Sequence, residues 1–236
     1  MSRINKAIER IRKQEPLPGS RPYHAHQSAE AHPAPRASPL DDPIDDSIAK
    51  VELDAEHLAE GRVIKPGIDP SIRTSYKMLR TRVPQRMPAN NWRSIAITSA
   101  TQGDGKSLTA INLAISLAGD VNHDVCLVDL DLRHSSVAKY LGIETRPGIS
   151  DCLHGRQSLK SVLVRPNIDR LVVLPNFTMQ ESSSELISSP AMRQVAESLS
   201  SDPQRIVVYD MPPLLSADDV LAFGPVTDAV LLVVAE

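Results

Sequence analysis

The strongest constraint on the fold is a series of short, almost uninterrupted apolar runs in the second half of the chain. They occupy residues 94–98, 125–130, 171–174, 206–209 and 229–235, and segments with helical periodicity separate most of them. Strands that are apolar on both faces are typical of a parallel sheet covered by helices on each side. The sequence therefore predicts an open α/β sheet whose ligand site lies at the carboxyl ends of the strands.

The composition fits one compact domain with an N-terminal tail. Apolar residues make up 41% of the 236 residues, and the formal net charge of −3 gives no reason to expect a nucleic-acid partner. No apolar run reaches the ~18 residues that cross a bilayer, and no signal peptide opens the chain. We therefore expect a cytoplasmic protein that contacts a membrane only peripherally, and we expect Cys126 and Cys152 to be reduced, structural thiols.

The chain divides by composition into three parts. Residues 1–14 show the stripe of a basic amphipathic helix, which suits docking on a partner or an anionic membrane as well as a simple solvated helix. Residues 15–48 hold seven prolines and an acidic run, so we expect a flexible linker. Residues 49–236 form the predicted folded domain, which opens with helical patterns at 55–61 and 72–83.

The loop after the first predicted strand in residues 94–98 has the composition of a phosphate-binding loop. It reads SATQGDGKS over residues 99–107 and leads into a predicted helix at 107–119. Unpaired N–H groups and the positive end of the helix dipole attract an anion at such a position. Gly103 and Gly105 would let the backbone approach phosphate oxygens without an intervening Cβ.

Lys106 is expected to reach the β- and γ-phosphates, and the Ser107 hydroxyl is expected to bind Mg²⁺. Ala100 occupies the place of the first glycine in the strict pattern for such loops, so the match is not complete. The predicted nucleotide contacts come from consecutive residues: Gln102, Gly103, Asp104, Gly105, Lys106, Ser107 and Leu108. Together with the strand pattern, they predict a P-loop NTPase-like sheet with helices on both faces.

Three aspartates follow two of the predicted strands. Asp129 and Asp131 end the run VCLVDLDLR, and their spacing of two places both carboxylates on one side of an extended strand. Asp210 ends the run IVVYD, which Pro212 and Pro213 stop. Because the ends of parallel strands meet at one edge of the sheet, these carboxylates should converge on the phosphate loop and hold Mg²⁺ with ATP.

At this point the sequence resembles a known family. The segments TSATQGDGKS, CLVDLDLR and VVYDMPP look like the Walker A, A′ and B motifs of the bacterial tyrosine kinases of capsule and exopolysaccharide systems. The resemblance extends through SYKMLRTRV and SSELISSPAM and covers roughly residues 51–236. The N-terminal part is similar to the stand-alone, cytoplasmic form found in exosortase-linked or related gene clusters.

The resemblance implies a role for each matching residue. Lys106 would bind the β- and γ-phosphates, while Ser107, Asp131 and Asp210 would hold Mg²⁺ directly or through water. Asp129 would orient or deprotonate the attacking tyrosine hydroxyl, whose ordinary pKa is about 10. The implied activity is ATP-dependent protein-tyrosine autophosphorylation, and the implied partner is the cytoplasmic segment of a membrane chain-length-determinant protein (a polysaccharide co-polymerase).

The chain also departs from the family pattern. The family's self-associating helix usually carries a glutamate and two arginines, and these positions read Thr74, Lys77 and Arg80 here. A lysine cannot form the forked pair of an arginine, so the resemblance does not carry ring-shaped self-assembly over to this chain. The family's tyrosine-rich tail and the sheet and helix before it have no counterpart before Glu236, so we expect either a C-terminally truncated form or an acceptor tyrosine that lies elsewhere.

Two other functions stay open at this stage. One is a nucleotide-dependent assembly module of the same export system that has no kinase activity. The other is a partitioning or septum-positioning ATPase with the same loop, although its signature lysine, five positions before Lys106, is Thr101 here.

Overall fold

The structure, a computed structural model, describes residues 44–45, 47–64, 70–87, 90 and 92–234. Seven strands of this part form one sheet: β1 (Ala49–Val51), β2 (Ser94–Ser99), β3 (Asp124–Asp129), β4 (Val164–Pro166), β5 (Leu171–Leu174), β6 (Arg205–Asp210) and β7 (Ala229–Val233). Their order is β1-β4-β5-β3-β6-β2-β7, and every neighbouring pair is parallel except the antiparallel pair β4–β5.

The helices cover both faces of this sheet. They are α1 (Ala55–Glu60), α2 (Pro70–Arg86), α3 (Lys106–Ala118), α4 (Val137–Leu141), α5 (Ile149–Leu153), α6 (Leu159–Val162), α7 (Ser183–Ile187), α8 (Pro190–Leu199) and α9 (Asp219–Phe223). Side chains of α1 to α4 pack into one apolar core, and side chains of α5 to α9 pack into a second core on the other face. The predicted α/β sheet with helices on both faces is confirmed.

All five apolar runs form strands. Four of them lie inside the sheet, and the fifth, β7, pairs with β2 at the edge of the sheet. The central strands β2, β3 and β6 are buried almost throughout, whereas β7 alternates between half-buried and exposed residues. No apolar run or alternation predicts β1 and β4, which have only three residues each. Such short strands exist because neighbouring strands offer them hydrogen-bond partners, not because of their own pattern.

The segment before α2 packs against the sheet and is hydrogen-bonded to α3. Ile48 is 3% exposed and packs in the second core, and β1 then pairs with β4 at the sheet edge. Asn112, buried on α3, accepts a hydrogen bond from the Ile64 N–H at 2.8 Å and donates one to the Arg62 carbonyl at 3.2 Å. Residues 47–64 therefore belong to the packed structure.

The predicted helix at 1–14 and nearly all of the predicted linker at 15–48 lie outside the described residues. Cys126 and Cys152 form no disulfide, which agrees with the expected reduced thiols. Within the ranges that the structure describes, no helix has both the length and the apolar character needed to cross a membrane.

Candidate functional site

The phosphate loop connects β2 to α3 at the carboxyl edge of the sheet. Gly103 and Gly105 have φ angles of +93° and +89°, a conformation that strains any residue with a Cβ. The Asp104 carboxylate accepts hydrogen bonds from the Thr101 N–H at 2.9 Å and from the Thr101 hydroxyl at 3.0 Å. The Asp104 side chain thus holds the loop in its shape. The predicted contact of Asp104 with the nucleotide would have to come from its backbone N–H, and it stays a prediction.

Lys106 points into a cluster of acidic and hydroxyl groups. Its ammonium is 2.6 Å from Asp131 Oδ2 and 3.8 Å from Asp210 Oδ1, and it donates a hydrogen bond to Ser107 Oγ at 3.1 Å. Burial by itself lowers the pKa of Lys106, which is 8% exposed, but the charges of Asp210 and Asp131 outweigh burial and raise it. Lys106 therefore stays charged and neutralises part of the acidic cluster.

Asp129 ends β3 and is held by the start of α4. Its Oδ2 accepts hydrogen bonds from the backbone N–H groups of Ser136 and Val137, both at 3.1 Å. Its Oδ1 is buried and has no hydrogen-bond partner within the described part of the chain. Burial and the nearby charge of Asp210 raise the pKa of Asp129 well above its ordinary value, which makes its carboxylate a stronger base once ionised.

Asp210 ends the neighbouring strand β6, directly beside Asp129 in the register of the sheet. Its carboxylate is completely buried, and neither oxygen has a hydrogen bond of good geometry from the described residues. Burial raises the pKa of Asp210 to about 6, although the Lys106 charge opposes this effect. The described residues therefore compensate the Asp210 carboxylate only in part.

The structure brings Asp131 and Asp210 to Lys106 and places Asp129 beside Asp210, but it corrects one detail. Asp131 does not lie on the strand with Asp129, because β3 ends at Asp129 and the chain turns into a loop. Asp131 still reaches the site, because this loop folds back and brings its carboxylate to Lys106. Gln102 is exposed and Leu108 is half-buried at the same edge.

The residues of this site fit a magnesium–nucleotide complex. Three buried carboxylates face one ammonium, so the ionised cluster has an excess of negative charge and unpaired carboxylate oxygens that a divalent cation would neutralise. Among the described residues there is no preformed group of three His, Cys, Asp or Glu ligands. Mg²⁺ would therefore be held by Asp131, Asp210 and Ser107 together with phosphate oxygens, as is usual for this ion.

The sequence did not reveal how the site is supported. Arg133, two positions after Asp131, donates a hydrogen bond to Ser183 Oγ at 2.7 Å and lies 4.0 Å from buried Asp219. Asp129 is supported by backbone groups, which leave no sequence signal. Asn176, an asparagine just after β5, is buried near the same loop and could have been noticed as a polar residue at a strand end.

Comparison with known proteins agrees with this geometry. The family described as "ParA: NUBPL iron-transfer P-loop NTPase" matches residues 91–221. The tyrosine-protein kinase YwqD of Bacillus subtilis (strain 168) is 31% identical over 160 residues, which are 68% of this chain and 67% of YwqD. The succinoglycan biosynthesis transport protein ExoP of Rhizobium meliloti (strain 1021) is 27% identical over 93% of this chain, but the match spans only 27% of ExoP.

A solved structure of a tyrosine kinase domain is also similar to this chain. The kinase domain of the Escherichia coli tyrosine kinase ETK superposes with a TM-score of 0.64 and 27% sequence identity, covering 68% of this chain and 62% of that domain. The match to a kinase domain includes the fold and not only the short motifs.

Proposed function

The chain belongs to the P-loop NTPases of the ParA type and, within them, to the bacterial tyrosine kinases of capsule and exopolysaccharide biosynthesis; on this premise we propose that it is an ATP-dependent protein-tyrosine autokinase. The observation that carries the proposal is the meeting of Lys106, Asp131 and Asp210 beside the buried carboxylate of Asp129. This set contains a phosphate-binding cation, two carboxylates for Mg²⁺ and one further carboxylate that can serve as a base.

In the proposed reaction, a tyrosine oxygen attacks the γ-phosphorus of ATP, the bond to the bridging oxygen of ADP breaks, and the phenolic proton passes to Asp129. Bound Mg²⁺ would supply charge neutralisation at the phosphates. Lys106 leaves Asp131 and binds the β- and γ-phosphate oxygens, so that Asp131 becomes free to serve as a metal ligand. The backbone N–H groups of Ser136 and Val137 keep the Asp129 carboxylate in place during proton transfer.

The acceptor tyrosine has to be more accessible than Tyr209, a completely buried residue of β6 that packs edge-to-face against Phe223 of α9. Tyr76 and Tyr140 are half-buried, and Tyr23 lies outside the described residues. We propose that the phosphorylated tyrosines lie at accessible positions of this chain or on another protein.

For the partner, we propose the cytoplasmic segment of a membrane chain-length-determinant protein, with the kinase held peripherally at the inner face of the cell membrane. Support comes from ExoP, a transport protein of a polysaccharide pathway that contains a region similar to nearly all of this chain. A link to exosortase gene clusters, and the three-part organisation with a basic helix, a linker and a kinase domain, belong to the same proposal.

A ParA-type ATPase remains the second candidate, because the family match over residues 91–221 carries that description. The position of its signature lysine is Thr101, whose N–H and hydroxyl donate to Asp104 within the loop. Where the ParA-type ATPases have a lysine, this chain has an uncharged threonine that makes hydrogen bonds within the loop. This difference favours the kinase.

The deciding experiment incubates the purified chain with Mg²⁺ and ATP, with and without the partner's cytoplasmic segment, and measures phosphotyrosine by mass spectrometry. We expect phosphotyrosine from the wild type and none from Lys106→Met, which loses the cation at the β- and γ-phosphates. Lys139→Met, at an exposed lysine of α4, is the matched control and should keep the activity. ATP hydrolysis without phosphotyrosine in either reaction would contradict the kinase and favour the ATPase.

A further inference from the structure

Asn176 lies at the centre of a buried polar network behind the site. It follows β5, is 2% exposed, and donates from its amide nitrogen to Ser135 Oγ at 2.7 Å and to the Thr178 carbonyl at 2.9 Å. Its amide oxygen accepts hydrogen bonds from the hydroxyl and the N–H of Ser150 at the start of α5. Both amide hydrogens and the amide oxygen of Asn176 are thus satisfied inside the protein.

This network ends on the backbone of a candidate metal ligand. Ser135 uses its only hydroxyl hydrogen to donate to the Asp131 carbonyl at 3.0 Å, while its oxygen accepts from Asn176. We call residues 130–136 the aspartate loop, because it carries Asp131 and leads to the N–H groups that hold Asp129. Asn176 therefore contacts the aspartate loop at Ser135, between Asp131 and the N–H groups that hold Asp129.

A second contact joins the same two segments. The Gln180 N–H donates to the Leu132 carbonyl at 2.9 Å, so the chain after β5 runs alongside the aspartate loop. The loop itself is short of apolar anchors at Ser135 and Ser136, and it holds Asp131 Oδ1 through the His134 N–H at 3.0 Å. Leu130 and Leu132 anchor the first half of the loop in the second core, so the contact from Asn176 to Ser135 matters most for the second half, which is held by polar contacts.

We propose that Asn176 is a positioning residue that fixes the aspartate loop, so that Asp131 and Asp129 already face Lys106 before the nucleotide binds. The inference rests on the proposed function only in treating Asp131 as a ligand of Mg²⁺. Asn176 acts through Ser135 and does not contact the nucleotide. A loosened loop would hold the metal less well, because part of the binding free energy would be spent on ordering it.

Two variants and a matched control test this proposal. Asn176→Ala removes all the side-chain contacts of Asn176, and Ser135→Ala removes only the hydroxyl that joins Asn176 to Asp131. Asn112→Ala is the control, because Asn112 is also a buried asparagine that joins two backbone segments, at Arg62 and Ile64, away from the aspartate loop. All three variants should lose stability, so stability alone does not separate a positioning role from a structural one.

The first readout is amide hydrogen exchange at His134, Ser136 and Val137 in the nucleotide-free protein. The second is the Mg²⁺ concentration needed for half-maximal binding of a fluorescent ATP analogue. We expect Ser135→Ala to raise both by about threefold to tenfold, the effect of losing one hydrogen bond, Asn176→Ala to raise both at least as much, and Asn112→Ala to change neither. The double variant should exceed the single ones only slightly, since the two residues act in one chain of contacts.

Unchanged exchange at these three amides in Ser135→Ala, or an equal change in Asn112→Ala, would overturn the proposal. If Asn176→Ala does not fold, Ser135→Ala decides the question alone. A wild type that makes no phosphotyrosine, combined with faster exchange in Ser135→Ala, would contradict the proposed function and support this inference. The two proposals can therefore fail separately.

Discussion

At the scale of single residues, the site is dominated by an imbalance of charge. Asp129, Asp131 and Asp210 lie almost completely out of solvent, and Lys106 is the cation that faces them. Buried carboxylates without full compensation cost stability, and the raised pKa values of Asp129 and Asp210 express that cost. The protein tolerates this cost because a divalent cation and phosphates can use the same groups.

This view predicts that Asp210→Asn stabilises the nucleotide-free protein. The pKa of Asp210 is about 6 in the folded state and near 3.8 in the unfolded state, so the folded state binds the extra proton between these values. The free energy of unfolding of the wild type should therefore fall, through this group, as the pH rises from about 4 to about 6. At pH 7.5 we expect Asp210→Asn to be more stable by about 1–3 kcal/mol.

The measurement is thermal unfolding over pH 4–8, with Asp169→Asn as the control at an exposed acid. The same Asp210→Asn protein should lose the increase in melting temperature that Mg²⁺ with ATP gives the wild type. A variant that is less stable than the wild type at pH 7.5, or that still responds to Mg²⁺ with ATP, would show that Asp210 is not a strained metal ligand.

At the scale of secondary-structure elements, α4 connects the N-terminal segment to the candidate base. The N–H groups at the start of α4 bind the Asp129 carboxylate. The second half of α4 contacts α1, because His57 Nε2 donates a hydrogen bond to the Lys139 carbonyl at 2.7 Å. Gly142 follows α4 with a φ of +67°, and a Cβ there would come within 3.0 Å of the His57 ring. The closeness of α1 and α4 therefore depends on a residue without a side chain.

We predict that Gly142→Ala destabilises the protein more than Gly155→Ala does. Gly155 also has a positive φ, +70°, but a Cβ there meets nothing within 4 Å, so its replacement reports only the backbone strain. Gly142→Ala adds a clash with His57, and we expect an additional loss of about 1–2 kcal/mol. Chemical denaturation measures both losses.

The clash has its own control. His57→Ala introduced into the Gly142→Ala protein removes the ring that the new methyl group meets, so the cost of Gly142→Ala should shrink toward that of Gly155→Ala. Equal losses for the two glycine variants in the wild-type background would mean that α1 and α4 are not closely packed at this point.

At the scale of the whole molecule, the sequence was sufficient for features that repeat or have a specific composition. The apolar runs predicted the central strands, and the loop around Lys106 with the three aspartates predicted the site, because strand ends in a parallel sheet meet at one edge. The short strands β1 and β4 were not predictable, since pairings such as that of Val164 with Val173 depend on contacts between distant segments.

Side-chain partners were the least predictable feature. The Lys106–Asp131 ion pair depends on how the chain turns after β3, and the Asn176–Ser135 contact joins residues 41 positions apart. Neither the periodicity nor the composition of a single segment contains such information. What the sequence does determine is which chemical groups are available at the site.

The most direct test of the account is a calorimetric titration of the chain with a non-hydrolysable ATP analogue, with and without Mg²⁺, in the wild type and in Lys106→Met. We predict saturable binding at one site per chain in the wild type, much weaker binding without Mg²⁺, and no detectable heat of binding in Lys106→Met. A flat titration of the wild type in the presence of Mg²⁺, or equal binding by Lys106→Met, would contradict the claim that Lys106 and the three aspartates form a magnesium–nucleotide site.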